Sequence, residues 1–97
     1  MDIKNNFNIG GKTAEVIIQK STNKNKKFMA NAHGKLIYFG DSHFSDYTIH
    51  NDDDRKQRYI KRHMKNEDWS NPLTSGFYAR WVLWNKKTIA DSIDDLI

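Results

Sequence analysis

The stretch HNDDDRKQRYIKRHMKN, residues 50–66, sets three aspartates directly ahead of six cationic side chains, with a tyrosine and a histidine among them. Guanidinium groups fork onto phosphate oxygens, and a tyrosine ring can stack on a base or hydrogen-bond to a phosphate. The chemistry such a set could do is recognition of a large anion. At 100° per residue, Arg55, Arg58, Lys61, Arg62 and Lys65 fall within an arc of about 120° on a helix. Tyr59 and His63 lie beside that arc, and Ile60 and Met64 lie roughly opposite. The spacing predicts a helix with a cationic crest, an aromatic shoulder and an apolar foot. A second basic cluster (Lys20, Lys24, Lys26 and Lys27) could add contacts from outside the helix, with Lys24, Lys26 and Lys27 the candidates.

Two other readings compete for the same residues. Arg55 and Arg58 stand three or four positions from Asp52–Asp54, so the helix could be a solvated face whose charges are partnered locally. Pairs of that kind contribute only about 0.3–0.5 kcal/mol each, so phosphate could displace them. Alternatively, one or two arginines could turn inward toward Asp46 or Tyr47 and tie the helix to the preceding loop.

The rest of the chain must position this helix. The 97 residues have the length of one domain, and the three Trp, five Phe and four Tyr supply large side chains for a small core. TAEVIIQKS (13–21), KFMANAH (27–33) and KLIYFGDS (35–42) read as strands, the last two joined through HGK, where Gly34 suits a positive φ. HFSDYTIHN is either a short edge strand or an ordered loop. Asn51 or Asp52 can cap the basic helix, with carboxylates at its start and cations toward its end, as the helix dipole favours. After a loop with the only proline, Pro72, Thr74 or Ser75 starts a second helix, GFYARWVLWN. Thr88 opens a third with a capping box closed by Asp91. The expected fold is α+β: a three-stranded antiparallel meander followed by three short helices packed on one face. Residues 1–10 are candidates for disorder, leaving 11–97 as a single domain.

Other constellations are weaker. Phe77, Trp81 and Trp84 share one helical stripe and are expected in the core. Arg80, a cation inside that apolar helix, needs a buried partner, with Asp46 or Asp68 the candidates. Asp46, Tyr47, His50, His63 and Arg80 are together expected to form a structural network. His33, His43, His50 and His63 match no metal-ligand spacing, so no metal or cofactor is expected. GGKT (10–13) lacks the first glycine and the strand of a phosphate loop. There are no cysteines, and no apolar run approaches the roughly 20 residues of a bilayer span; the start lacks a signal-peptide pattern. A soluble intracellular protein without a membrane partner is the expectation. The net charge of +4 permits an anionic partner and is segregated along the chain.

Residues 38–86 carry Phe39-Gly40, Ser45-Asp46-Tyr47-Thr48, His50, Arg55, Arg58-Tyr59, Arg62-His63, Trp69, Pro72, Gly76-Phe77, Trp81 and Leu83-Trp84-Asn85-Lys86. This pattern resembles an uncharacterised family of small proteins from large DNA viruses of eukaryotes and some phages. The resemblance implies a viral setting: host cytoplasm, viral factory or virion. Tyr38-Phe39-Gly40 followed by the arginines also resembles the second half of GIY-YIG nucleases, with Tyr38, Gly40 and one of Arg55, Arg58 or Arg62 in the motif positions. The first tyrosine of that motif has no counterpart, and Glu67, the only downstream glutamate, sits too close to the helix to be its metal ligand.

The function expected is a small basic, non-enzymatic protein that binds nucleic acid through the cationic helix with little sequence preference. The alternative is a structural or interaction module, such as a minor virion component or an adaptor contacting a viral structural protein. A degenerate nuclease stands third. The sequence is silent on oligomeric state and on DNA against RNA.

Overall fold

β-Branched and apolar residues recurring every second position give one buried and one open sheet face, and residues 16–39 follow that rule. The computed structural model describes residues 3–9, 12–32 and 34–95, with side chains described from residue 16 onward in those ranges. Four strands lie in chain order as an antiparallel sheet: β1 (Ile3–Ile9), β2 (Lys12–Lys20), β3 (Lys26–Ala32) and β4 (Lys35–Asp41). The last three are the expected meander. β1 adds a fourth strand within the stretch considered for disorder, its backbone running from Ile3 opposite Ile18 to Ile9 opposite Lys12. Between β3 and β4, Gly34 takes φ 78°, as its place in a tight hairpin requires. His33 lies outside the described residues.

Val16 and Ile18 of β2, Ala30 and Ala32 of β3, and Ile37 and Phe39 of β4 alternate along their strands and are all buried. Ile18, Ala30 and Ile37 pair across the sheet, so the six share one face. The helical half covers it. α1 (Tyr47–His50) is one turn, α2 (Asp53–His63) follows at once, and α3 (Ser75–Tyr78) runs into a π-helical turn (Ala79–Leu83). α4 (Ile89–Asp95) closes the described chain, its Thr88 Oγ1 accepting the Asp91 N–H at 3.1 Å as the capping box predicts. Tyr78, Val82, Leu83 and Ile93 complete the core. The fold is α+β, as expected, with α1 as an unforeseen extra turn. Asp46 caps it through the Thr48 N–H, and Asn51 ends it with φ 52°.

Two expectations about buried faces need correction. Phe77, Trp81 and Trp84 fit a stripe at α-helical spacing and are partly buried, Phe77 and Trp84 packing against the core, but the fully buried residues are Tyr78, Val82 and Leu83. Phe77 precedes the π turn (Ala79–Leu83), and Trp84 follows it, its N–H donating to Ala79 O five residues back. An i→i+5 turn rotates the following side chains off the α-helical wheel. On α2 the apolar foot is not what anchors the helix. Met64 is 56 % exposed, and Tyr59 is the one buried residue of α2.

Candidate functional site

A cavity of about 540 Å3 is lined by Arg55, Arg58 and Arg62 of α2 and by Lys26 and Lys27 of β3. Phe39, Ala79, Leu83 and Trp84 give it an apolar floor, and Ser45 and Ser75 add hydroxyls. Five cations face three carboxylates there, those of Asp41, Asp46 and Glu67.

Asp52 and Asp53 are occupied in ways that leave the arginines alone. Asp52 caps α2, its Oδ1 accepting the backbone N–H groups of Asp54 at 3.0 Å and Arg55 at 3.2 Å. Asp53 accepts the Tyr47 hydroxyl at 2.5 Å, locking α1 to α2. A cap orients carboxylates at the helix start toward amides rather than along the helix side. Among the described residues, Arg55, Arg58, Lys61, Arg62 and Lys65 accordingly have no ion pair. All five are exposed.

The crest is divided, however. Arg55, Arg58 and Arg62 line the cavity with Tyr59 and His63, whereas Lys61 and Lys65, at the far edge of the same arc, line neither cavity described. The β3 cluster also splits. Lys27 donates to Asp46 at 2.6 Å with both side chains largely buried, 15 % and 3 % exposed, so its charge is spent inside the fold. Lys26 is exposed and unpaired among the described residues. Lys24 lies with Lys26 and Lys27 on a second cavity of about 480 Å3, on the side of Thr48 and Ile89.

Tyr59 was a candidate for stacking on a base. It is 6 % exposed, and its ring already stacks on Trp84 (centroids 4.4 Å apart, 3° between planes) and on His63 (4.4 Å, 29°). Its role is to seat the helix, because those neighbours occupy the ring surface that a base would need. Burial holds its hydroxyl well above the usual tyrosine range, so it remains neutral. His63 Nδ1 lies 2.7 Å from Glu67 Oε2, and Glu67 Oε1 accepts the Trp69 indole N–H at 3.0 Å. A carboxylate so held fixes the imidazole's orientation at the cavity wall.

The remaining network is assembled differently from expectation. Arg80 reaches no acid: its Nη1 donates to Trp84 O at 2.8 Å, and its guanidinium lies over the rings of Trp81 (4.4 Å) and Trp69 (5.4 Å). A carbonyl and two aromatic faces substitute for the carboxylate. Asp46 is taken by Lys27 and Thr48. His50 Nδ1 accepts the Asp52 N–H at 2.9 Å, its ring packing against Trp84. Burial, followed by the nearby Arg55 charge, lowers its pKa below the ordinary histidine value. Lys56, which the wheel left out, donates to Asn85 O at 2.7 Å over the Tyr47 ring, pinning the other flank of α2.

Of the nuclease-like set, Gly40 and the three arginines line the cavity, but Tyr38 does not; its hydroxyl lies 3.2 Å from Thr22 Oγ1. Phe44 is the cavity residue that sequence reasoning passed over. It is 71 % exposed at the turn after β4, and its only signal was an aromatic among small polar residues in DSHFSD.

Residues 16–63 match DUF5754, a family of unknown function. That span runs from β2 through α2 and contains all five cations that line the cavity, while the floor from Ala79 to Trp84 lies beyond it. No curated protein and no solved structure matches the chain. Among the described residues no helix is long and apolar enough to cross a membrane, and no cluster of three His, Asp or Glu is arranged for a metal.

Proposed function

We propose that this protein binds nucleic acid, holding the phosphates of one strand along the Arg55–Arg58–Arg62 edge of α2, with Lys26 contributing from β3. The observation that carries the reading is the set of three arginines, free of carboxylate partners, lining one cavity together with the unpaired Lys26. From Arg55 to Arg62 the helix rises about 10 Å. Along a duplex axis one strand presents about three phosphates over that length, so the spacing fits a backbone contact. Nothing in the set requires a particular base, so affinity should depend strongly on salt and weakly on sequence. On the resemblance of residues 38–86 to small proteins of large DNA viruses and phages, the partner in this proposal is a viral genome or transcript, in a host cytoplasm, viral factory or virion.

The test is a fluorescence-anisotropy titration of labelled single- and double-stranded oligonucleotides at ~50 mM salt. Binding by the wild-type chain and its loss in an R55Q/R58Q/R62Q variant of unchanged melting temperature is the expected result. Absence of binding to every form of DNA and RNA at that salt would overturn the proposal.

A further inference from the structure

Resting on that reading, we infer that the cavity accepts one unstacked nucleotide of a single strand, its base lying against Phe44 and its phosphate on Arg58 and Arg62. A solvated basic face needs no cavity, and a contact to duplex phosphates alone needs no aromatic ring. This site has both. Its volume of about 540 Å3 falls within the range of small-ligand sites, roughly 300–1,000 Å3. The lining combines what a nucleotide would require: three arginines, the apolar surfaces of Phe39, Leu83 and Trp84, and an exposed Phe44.

Isolated exposed aromatics are ordinary on protein surfaces, so exposure alone would carry nothing. What distinguishes Phe44 is its place in the lining of the same cavity as the unpartnered arginines, combined with an open ring, which Tyr59 lacks. An aromatic beside cations is the arrangement by which single-stranded nucleic acid is held, since every base has a π face and every link a phosphate. In a duplex the bases are stacked on one another, and a base would have to leave the stack to enter. The cavity therefore favours single strands. The carboxylates of Asp41 and Glu67 also line it, the first held by His43 and the second by His63 and Trp69. Both acids keep the site from being a uniform well of positive charge.

The experiment uses the full chain and three probes: a short labelled oligothymidylate, the same strand in duplex, and inorganic polyphosphate as a polyanion without bases. The wild-type protein should bind the single strand more tightly than the duplex. Phe44→Ala should weaken single-strand binding by about fivefold to a hundredfold, from the usual contribution of one stacked base, and leave polyphosphate affinity unchanged. Phe44→Trp should retain binding, and R58Q/R62Q should weaken all three probes. Equal single-strand affinity in wild type and Phe44→Ala, with binding otherwise intact, would overturn this inference and leave the phosphate contact standing. Failure of every probe to bind wild-type protein would remove the proposed function, and the inference with it.

Discussion

At the scale of single residues, formal charge turns out to be a poor guide to availability. Lys27 and Lys26 are neighbours in sequence and line the same cavity, yet one is committed to Asp46 and the other is open. Removing one partner of a buried pair strands the other charge, at a cost of several kcal/mol. Lys27→Met should therefore lower unfolding free energy by roughly 3 kcal/mol, measured by chemical denaturation, whereas Lys26→Gln should leave stability nearly unchanged. Equal stability of the two variants would mean that the Asp46 pairing contributes nothing. Gly40 shows a different constraint. It holds φ 79°, and a Cβ there would sit 2.6 Å from Leu83 Cδ1. Left-handed backbone and overpacking of a core leucine act together in Gly40→Ala, which should lose about 2–4 kcal/mol. A denaturation midpoint within error of wild type would exclude that close approach.

The elements are held in place by contacts that charge patterns announce only in part. α1 and α2 meet through Tyr47, Asp53, His50 and Asp52. Because Nδ1 of His50 accepts the Asp52 N–H, its proton sits on Nε2, a buried atom without a partner in the described structure. Protonation would have to occur on Nδ1, charging a ring that burial shields from water and placing that charge near Arg55. The folded pKa therefore lies below the ordinary histidine value, and the unfolded chain takes up the proton first as pH falls. The stabilisation is complete above about pH 6.5 and is lost as pH drops toward the folded pKa. The wild-type melting temperature should fall between about pH 7.5 and about pH 5.5, and His50→Gln should flatten that fall. An unchanged slope in the variant would show that His50 does not carry it. Much of this half was legible in the sequence to within a residue: a cap at Asn51 or Asp52, the Thr88 box and a start at Thr74 or Ser75 are local signals, and the structure selects Asp52 and Thr74. The π turn was not legible, because Phe77, Trp81 and Trp84 satisfy α-helical spacing and nothing nearby marks the extra residue. Nor was the partner of Arg80, since a carbonyl and two indole faces come together only after Trp69 and the π turn pack.

On the scale of the whole molecule, the question is whether binding follows net charge or the particular cavity. The sequence gives one cationic arc, and the fold divides it, putting Arg58 and Arg62 on the cavity and Lys61 and Lys65 beyond it. Two double variants, R58Q/R62Q and K61Q/K65Q, remove the same charge from the same helix. They should behave alike if the protein is only a diffuse positive surface, because long-range attraction depends on total charge within a Debye length of about 8–10 Å. Specific contacts behave otherwise. Each phosphate neutralised releases counterions and contributes about 0.7–0.9 to the slope of log affinity against log salt. For a single-stranded oligonucleotide, R58Q/R62Q should lower the magnitude of that slope by about 1.5, and K61Q/K65Q by much less. Identical slopes in the two variants would place the contact on the helix as a whole and deprive the cavity of its role.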